Sequence, residues 1–218
     1  MIFQNMDRIV FAGDSITDMY SAQPVGEIGD GLGAGYVRII DSMLSAVYPE
    51  ISVRITNSGV GGNTSRDLLN RWERDVLSLN PQWVSVCIGI NDAWRQFDAP
   101  AFPEMPVYPE EYENNLDKML SSLAGRVKGA FVLTPYYIER EKSERLRAKM
   151  DEYGAICKRL ADKYGCIFID VQTAFDSFLE YKHSTVLAID RIHPNQIGAV
   201  IIARAFLAQC GFDFYRKS

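Results

Sequence analysis

The stretch Arg8-Ile9-Val10-Phe11-Ala12-Gly13-Asp14-Ser15 decides the fold. Arg8 to Ala12 is a short β-branched and aromatic run that reads as a strand, and Gly13-Asp14-Ser15 ends it in a polar turn. A Gly-rich loop follows (Gly26, Gly29, Gly31, Gly33, Gly35). A helix from about Tyr36 to Tyr48 comes next, where Val37, Ile40, Met43, Leu44 and Val47 recur at three- and four-residue spacing. The alternation then repeats along the chain. Strands are predicted at Ile51 to Thr56, Trp83 to Gly89, Gly129 to Thr134 and Cys166 to Asp170. Helices are predicted at Ser65 to Leu79, Glu110 to Leu123, Ser143 to Tyr164 and Pro194 to Gln209. Strands joined by crossover helices build a three-layer α/β/α sandwich around a mainly parallel sheet, here of five strands, because right-handed βαβ units place helices on both faces. No internal repeat, low-complexity tract or linker divides residues 1–218, so one domain is expected.

Composition narrows the function. Of 218 residues, 47% are hydrophobic and 23% charged, and 28 acidic residues outweigh 23 basic ones for a net charge of −5. With no sustained Lys/Arg run, nucleic acid and anionic membrane surfaces are poor partners. Asp7 and Arg8 interrupt the start where a secretory signal needs an unbroken apolar stretch, and no run approaches a membrane span, so a cytoplasmic protein is expected. Cys87, Cys157, Cys166 and Cys210 form no C-x-x-C pair and read as reduced core residues. With only His183 and His193, neither a three-His zinc site nor an H-E-x-x-H helix can be assembled, and no metal or cofactor is expected. The segment Ala93 to Pro109 carries Pro100, Pro103, Pro106 and Pro109 with Trp94, Phe97, Phe102 and Tyr108. It reads as a long irregular loop serving as a self-association interface or a substrate groove, the former preferred.

The chemistry-bearing segments fall where strands end: Gly13-Asp14-Ser15, Asn57 to Thr64, Gly89-Ile90-Asn91-Asp92, and Asp190 to His193 ahead of the last helix. In a sheet of this kind all four meet at one rim. Ser15 needs a base to become a nucleophile; His193 is the candidate, and Asp190 can fix its tautomer from three residues upstream. Gly59-Val60-Gly61-Gly62 offers backbone N–H groups, and Asn91 a side-chain amide, to a developing oxyanion. Each has a plainer reading on its own: Ser15 or His193 as a helix cap, the glycines as a tight turn, Asn91 as a turn residue. Together they favour acyl transfer. Arg54, Trp94 and Arg95 near the rim suit the faces and hydroxyls of a sugar, with packing and surface solvation as the alternative. A flavodoxin-like nucleotide-binding module would share the sheet, but Asp14 and Asp18 after the first strand would repel a phosphate.

Through these four blocks the chain resembles the SGNH, or GDSL-type, hydrolases. The resemblance implies a catalytic Ser15 with His193 and Asp190. It also implies an oxyanion hole from the Ser15 and Gly62 N–H groups and the Asn91 amide. Gly13 to Asp18, Gly62-Asn63-Thr64 with Arg66-Asp67-Leu68, Ile88 to Asp92 with Trp94-Arg95-Gln96, and Asp190 to Pro194 look like the intracellular bacterial acetylxylan esterases over nearly the whole chain. That implies removal of acetyl groups from xylo-oligosaccharides through an acetyl-enzyme. Substrate contacts are then expected from Asp14, Arg54, Trp94 and Ile189, the last standing where this group often carries an aromatic residue. A short-chain thioesterase or lysophospholipase is the alternative within the superfamily.

Overall fold

The computed structural model describes residues 1–216. Its strands are β1 (Arg8–Gly13), β2 (Gly26–Glu27), β3 (Arg54–Gly59), β4 (Trp83–Cys87), β5 (Gly129–Leu133) and β6 (Ile167–Ile169). Among the described residues these form one sheet in the order β2-β3-β1-β4-β5-β6. All neighbouring pairs are parallel except β2 with β3. The sixth strand, absent from the five expected, is the two-residue antiparallel edge inside the Gly-rich loop, too short to leave a hydropathy pattern.

The helices are α1 (Ser15–Asp18), α2 (Tyr36–Val47), α3 (Ser65–Asp75), α4 (Ile90–Asp98), α5 (Pro109–Ser121), α6 (Arg145–Tyr164), α7 (Val171–Leu179) and α8 (Gln196–Gln209). α2, α7 and α8 pack together on one face of the sheet, and α3, α5, α6 and α4 on the other. Phe11 of the central strand meets Tyr36 of α2 and Phe206 of α8, so the first layer is anchored on β1 by aromatic contacts.

Four expectations are corrected. β3 begins three residues later than predicted and continues through Asn57 and Ser58, both fully buried. Their polarity ended the predicted strand, but Asn57 Nδ2 donates to the Thr17 and Leu32 carbonyls, and Ser58 Oγ accepts from Arg71. The supposed irregular loop from Ala93 is helical as far as Asp98, and its remainder is tied down by Tyr153, whose hydroxyl donates to the Val107 carbonyl at 2.5 Å. α7, capped by Asp170, was not anticipated. The last helix starts at Gln196 rather than Pro194, because Asn195 accepts the Ile197 and Gly198 N–H groups and is its cap.

Register sets the functional rim. Gly13 lies opposite both Gly59 and Cys87, so β1, β3 and β4 end level and release their polar loops on the same side.

Candidate active site

Ser15 opens α1, one residue after the buried Asp14, whose carboxylate accepts the Ile16 N–H at 2.9 Å and caps the turn. This fixes the Ser15 side chain at the sheet edge, where its Oγ lies 2.8 Å from His193 Nε2. His193 Nδ1 lies 2.6 Å from Asp190 Oδ2. A carboxylate only accepts, so Nδ1 carries the proton and Nε2 is left to accept from the serine hydroxyl. The loop holding this pair is well tied. Asp190 Oδ1 accepts the N–H groups of Ile192 and His193, each at 2.9 Å, and the Arg191 carbonyl accepts the Ile138 N–H. Burial pushes the Asp190 carboxyl up, but the hydrogen bonds from the His193 ring and from the two backbone N–H groups outweigh it and hold the group below the usual carboxylate range.

The expected oxyanion donors lie in the loops that leave β3 and β4 at the same end of the sheet as the serine. Val60 to Asn63 forms a tight turn in which the Asn63 N–H donates to the Val60 carbonyl, with Gly62 at φ +77°. Among the described residues, neither the Gly62 N–H nor the Ser15 N–H donates to a protein acceptor. Asn91 is brought to the same turn by the Gly89 corner. That corner has φ +133°, with Tyr112 and Pro135 only 3.0 Å from where a Cβ would stand, so only glycine fits. One N–H of the Asn91 amide donates to the Asn63 carbonyl at 3.0 Å. The other remains for a ligand.

Sequence reasoning missed the residue that holds this assembly. Arg71 of α3 is buried and donates to the Gly13 carbonyl, the Ser58 carbonyl and hydroxyl, and Asn63 Oδ1 at 2.7 to 3.1 Å. It thus joins the ends of β1 and β3 to the Val60 to Asn63 turn. The signal was present: Leu68, Arg71, Trp72 and Asp75 share one helical stripe, and a charge pair inside an apolar stripe marks a buried ion pair.

Of the four expected substrate contacts, two reach the rim. The Trp94 ring lies 6.4 Å from the His193 ring, and Ile189, almost fully exposed, lines the cavity in front of Ser15. Arg54 is a correction. It opens β3 at the far end, where it pairs with Glu27 at 2.7 Å, and five steps along the strand, roughly 16 Å, separate it from Gly59. Asp14 is a second correction: it is 1% exposed and caps α1, so it cannot meet a substrate. Burial pushes both the Asp14 carboxyl and the Asp92 carboxyl up to about 7, although Asp92 accepts the N–H and hydroxyl of Ser65. The cavity itself measures about 760 Å³, with Ser15, Tyr20, Ile189, Asp190, His193 and Asn195 in its lining.

Serine, imidazole and carboxylate in line, with free N–H groups beside the serine at the carboxyl edge of a doubly wound sheet, are equipped for hydrolysis through an activated serine. Comparison with known proteins agrees: the model of the GDSL-like lipase/acylhydrolase family matches residues 11–201, and the chain belongs to that family. An acetylxylan esterase of Geobacillus stearothermophilus is 45% identical over 212 residues, which is 97% of each chain. The crystal structure of Axe2, an acetylxylan esterase from the same organism, superposes with a TM-score of 0.97 at 44% identity over 100% of both chains. A form of Axe2 with a serine replaced by alanine, described as a catalytic mutant, superposes equally well, at 43% identity over 100% of both chains.

Proposed function

We propose that the protein is a serine esterase that removes acetyl groups from acetylated xylo-oligosaccharides or related sugars. The observation that carries this reading is the unbroken chain Ser15 Oγ, His193 Nε2, His193 Nδ1, Asp190 Oδ2 at the cavity mouth, at 2.8 and 2.6 Å. Full-length likeness to an acetylxylan esterase supports the substrate class and weighs against both the thioesterase or lysophospholipase alternative and a nucleotide-binding module.

Ser15 Oγ attacks the acetyl carbonyl carbon while His193 Nε2 takes the hydroxyl proton, and Asp190 stabilises the imidazolium that results. The carbonyl oxygen becomes an oxyanion received by the Ser15 N–H, the Gly62 N–H and the free N–H of Asn91. Its collapse breaks the bond to the sugar oxygen, which leaves with the proton from His193. Water then attacks the acetyl-enzyme and gives one proton to His193; collapse returns that proton to Ser15 Oγ and releases acetic acid, which loses its own proton to solvent as acetate. The Trp94 ring stands edge-on beside the imidazole, with 6.4 Å between ring centroids.

A cytoplasmic location is favoured by four cysteines that are all unpaired, three of them buried. Among the described residues no helix is long and apolar enough to cross a membrane. A single hydrolase domain suits the one contiguous core of the described residues. Self-association is supported by the exposed Phe102, Met105 and Tyr108 after α4, and light scattering tests it.

Acetate release from acetylated xylo-oligosaccharides, measured beside acetyl thioesters and lysophospholipids, tests the substrate class. The sugar esters should be preferred. Among phenyl esters, acetyl should exceed butyryl and octanoyl, each unaccommodated methylene costing about 1 to 3 kcal/mol. A series flat in acyl length, with thioesters preferred, refutes the deacetylase.

A further inference from the structure

Met19 and Tyr20 follow α1 at the edge of the cavity and take no part in the chemistry above. Both have left-handed backbone, at φ +38° and +66°, a conformation that non-glycine residues keep only where their surroundings enforce it. The enforcement is visible. Asp18 accepts the Ser21 N–H through its carbonyl at 2.9 Å and the Ser21 hydroxyl through Oδ1 at 2.7 Å. The Ala34 N–H donates to the Met19 carbonyl at 2.7 Å. Gly33 packs so close that a Cβ there would sit 2.5 Å from the Asp18 carbonyl oxygen and 2.7 Å from that of Met19. The Gly-rich loop therefore clamps the turn. The clamped turn presents Tyr20, a residue 89% exposed, in the wall of the cavity that contains Ser15.

An aromatic face held out in water on a rigid turn loses little entropy when a ligand covers it. The ligand surface that matches it is the C–H face of a pyranose, with hydroxyls around the edge free to meet Asp18, Thr185 and Asn195 of the same lining. We propose that Tyr20 is the stacking platform for a sugar ring of the substrate, supplying the aromatic surface that Ile189 does not. This rests on the deacetylase reading above.

The test compares acetylated xylo-oligosaccharides with vinyl acetate, whose leaving group has no ring to stack. Tyr20→Ala should lower kcat/KM on the oligosaccharides on the order of tenfold, mainly through KM, the worth of one stacked aromatic face and the area it covers. On vinyl acetate the same variant should stay within about twofold of wild type, and Tyr20→Phe, which keeps the face, should do so on both substrates. Equal losses on both substrates, or no loss on the oligosaccharides, overturn the platform while leaving the deacetylase standing. A wild type active on vinyl acetate but inert on the oligosaccharides overturns both.

Discussion

Replacing Asn91 with alanine removes one proposed oxyanion donor, together with its bond to the Asn63 carbonyl and a long contact from Arg95 at 3.4 Å. The amide has two N–H groups: one donates to the Asn63 carbonyl at 3.0 Å, and the second has no protein acceptor among the described residues and is left for the oxyanion in the proposed mechanism. Two backbone donors, on Ser15 and Gly62, survive the substitution. Loss of one preorganised donor costs about 2.7 to 4 kcal/mol of transition-state stabilisation, so kcat should fall roughly 10²- to 10³-fold. A ground-state ester carbonyl is a weaker acceptor than the oxyanion, so KM should scarcely move. The Asn63 carbonyl loses a partner, but Asn63 is half-buried and water can reach it, so the fold should lose only about 1 kcal/mol. Asn91→Asp preserves shape while setting a negative charge toward the oxyanion, and it should be worse than alanine. Steady-state kinetics on one acetyl ester, with thermal unfolding on the same samples, measures all of this. A kcat within about tenfold of wild type, or a loss carried by KM, would refute Asn91 as an oxyanion donor.

Arg71→Lys keeps a charge but cannot reach the two strand ends and Asn63 together; unfolding free energy should drop by about 2 to 4 kcal/mol, with kcat reduced more than KM is raised, by denaturant titration and kinetics. An unchanged kcat would make that network incidental to the site. The buried carboxyls of Asp14 and Asp92, raised to about 7 against an unfolded value near 3.9, bind protons more tightly in the folded state. Their contribution to stability is thus full below about pH 4 and lost as pH rises through about 7. Asp14→Asn, still able to cap α1, should flatten the fall in denaturation midpoint between about pH 5 and 7. An identical slope in wild type and variant would show that Asp14 does not titrate there.

Much of the site was legible because its residues carry local signals that survive without a structure. Ser15, Gly62 and Asn91 each follow a recognisable strand, and Asp190 with His193 comes just before the last helix; a parallel sheet brings its strand ends together whatever the details of packing. What failed depended on position across the sheet. Arg54 has a side chain that suits a sugar, yet it opens β3 rather than closing it. Asp14 lies in the right loop, but its side chain turns inward to cap α1. The end of β3 is hidden because Asn57 and Ser58 look like loop residues, and only distant carbonyls and Arg71 make them tolerable inside. α4 was concealed by the proline-rich segment that follows it. Tyr20 carries no sequence signal at all, since its meaning lies in a backbone conformation imposed by the Gly-rich loop.

The central claim is that an acetyl group passes through Ser15. Rapid acid quench of wild type turning over an activated acetyl ester, followed by peptide mass mapping, should find one acetyl group on the peptide containing Ser15 and on that residue. Ser15→Ala, folded by circular dichroism, should carry none and turn over at least about a thousandfold more slowly. An acetyl group on a different residue, or a folded Ser15→Ala protein with activity near wild type, would contradict the account.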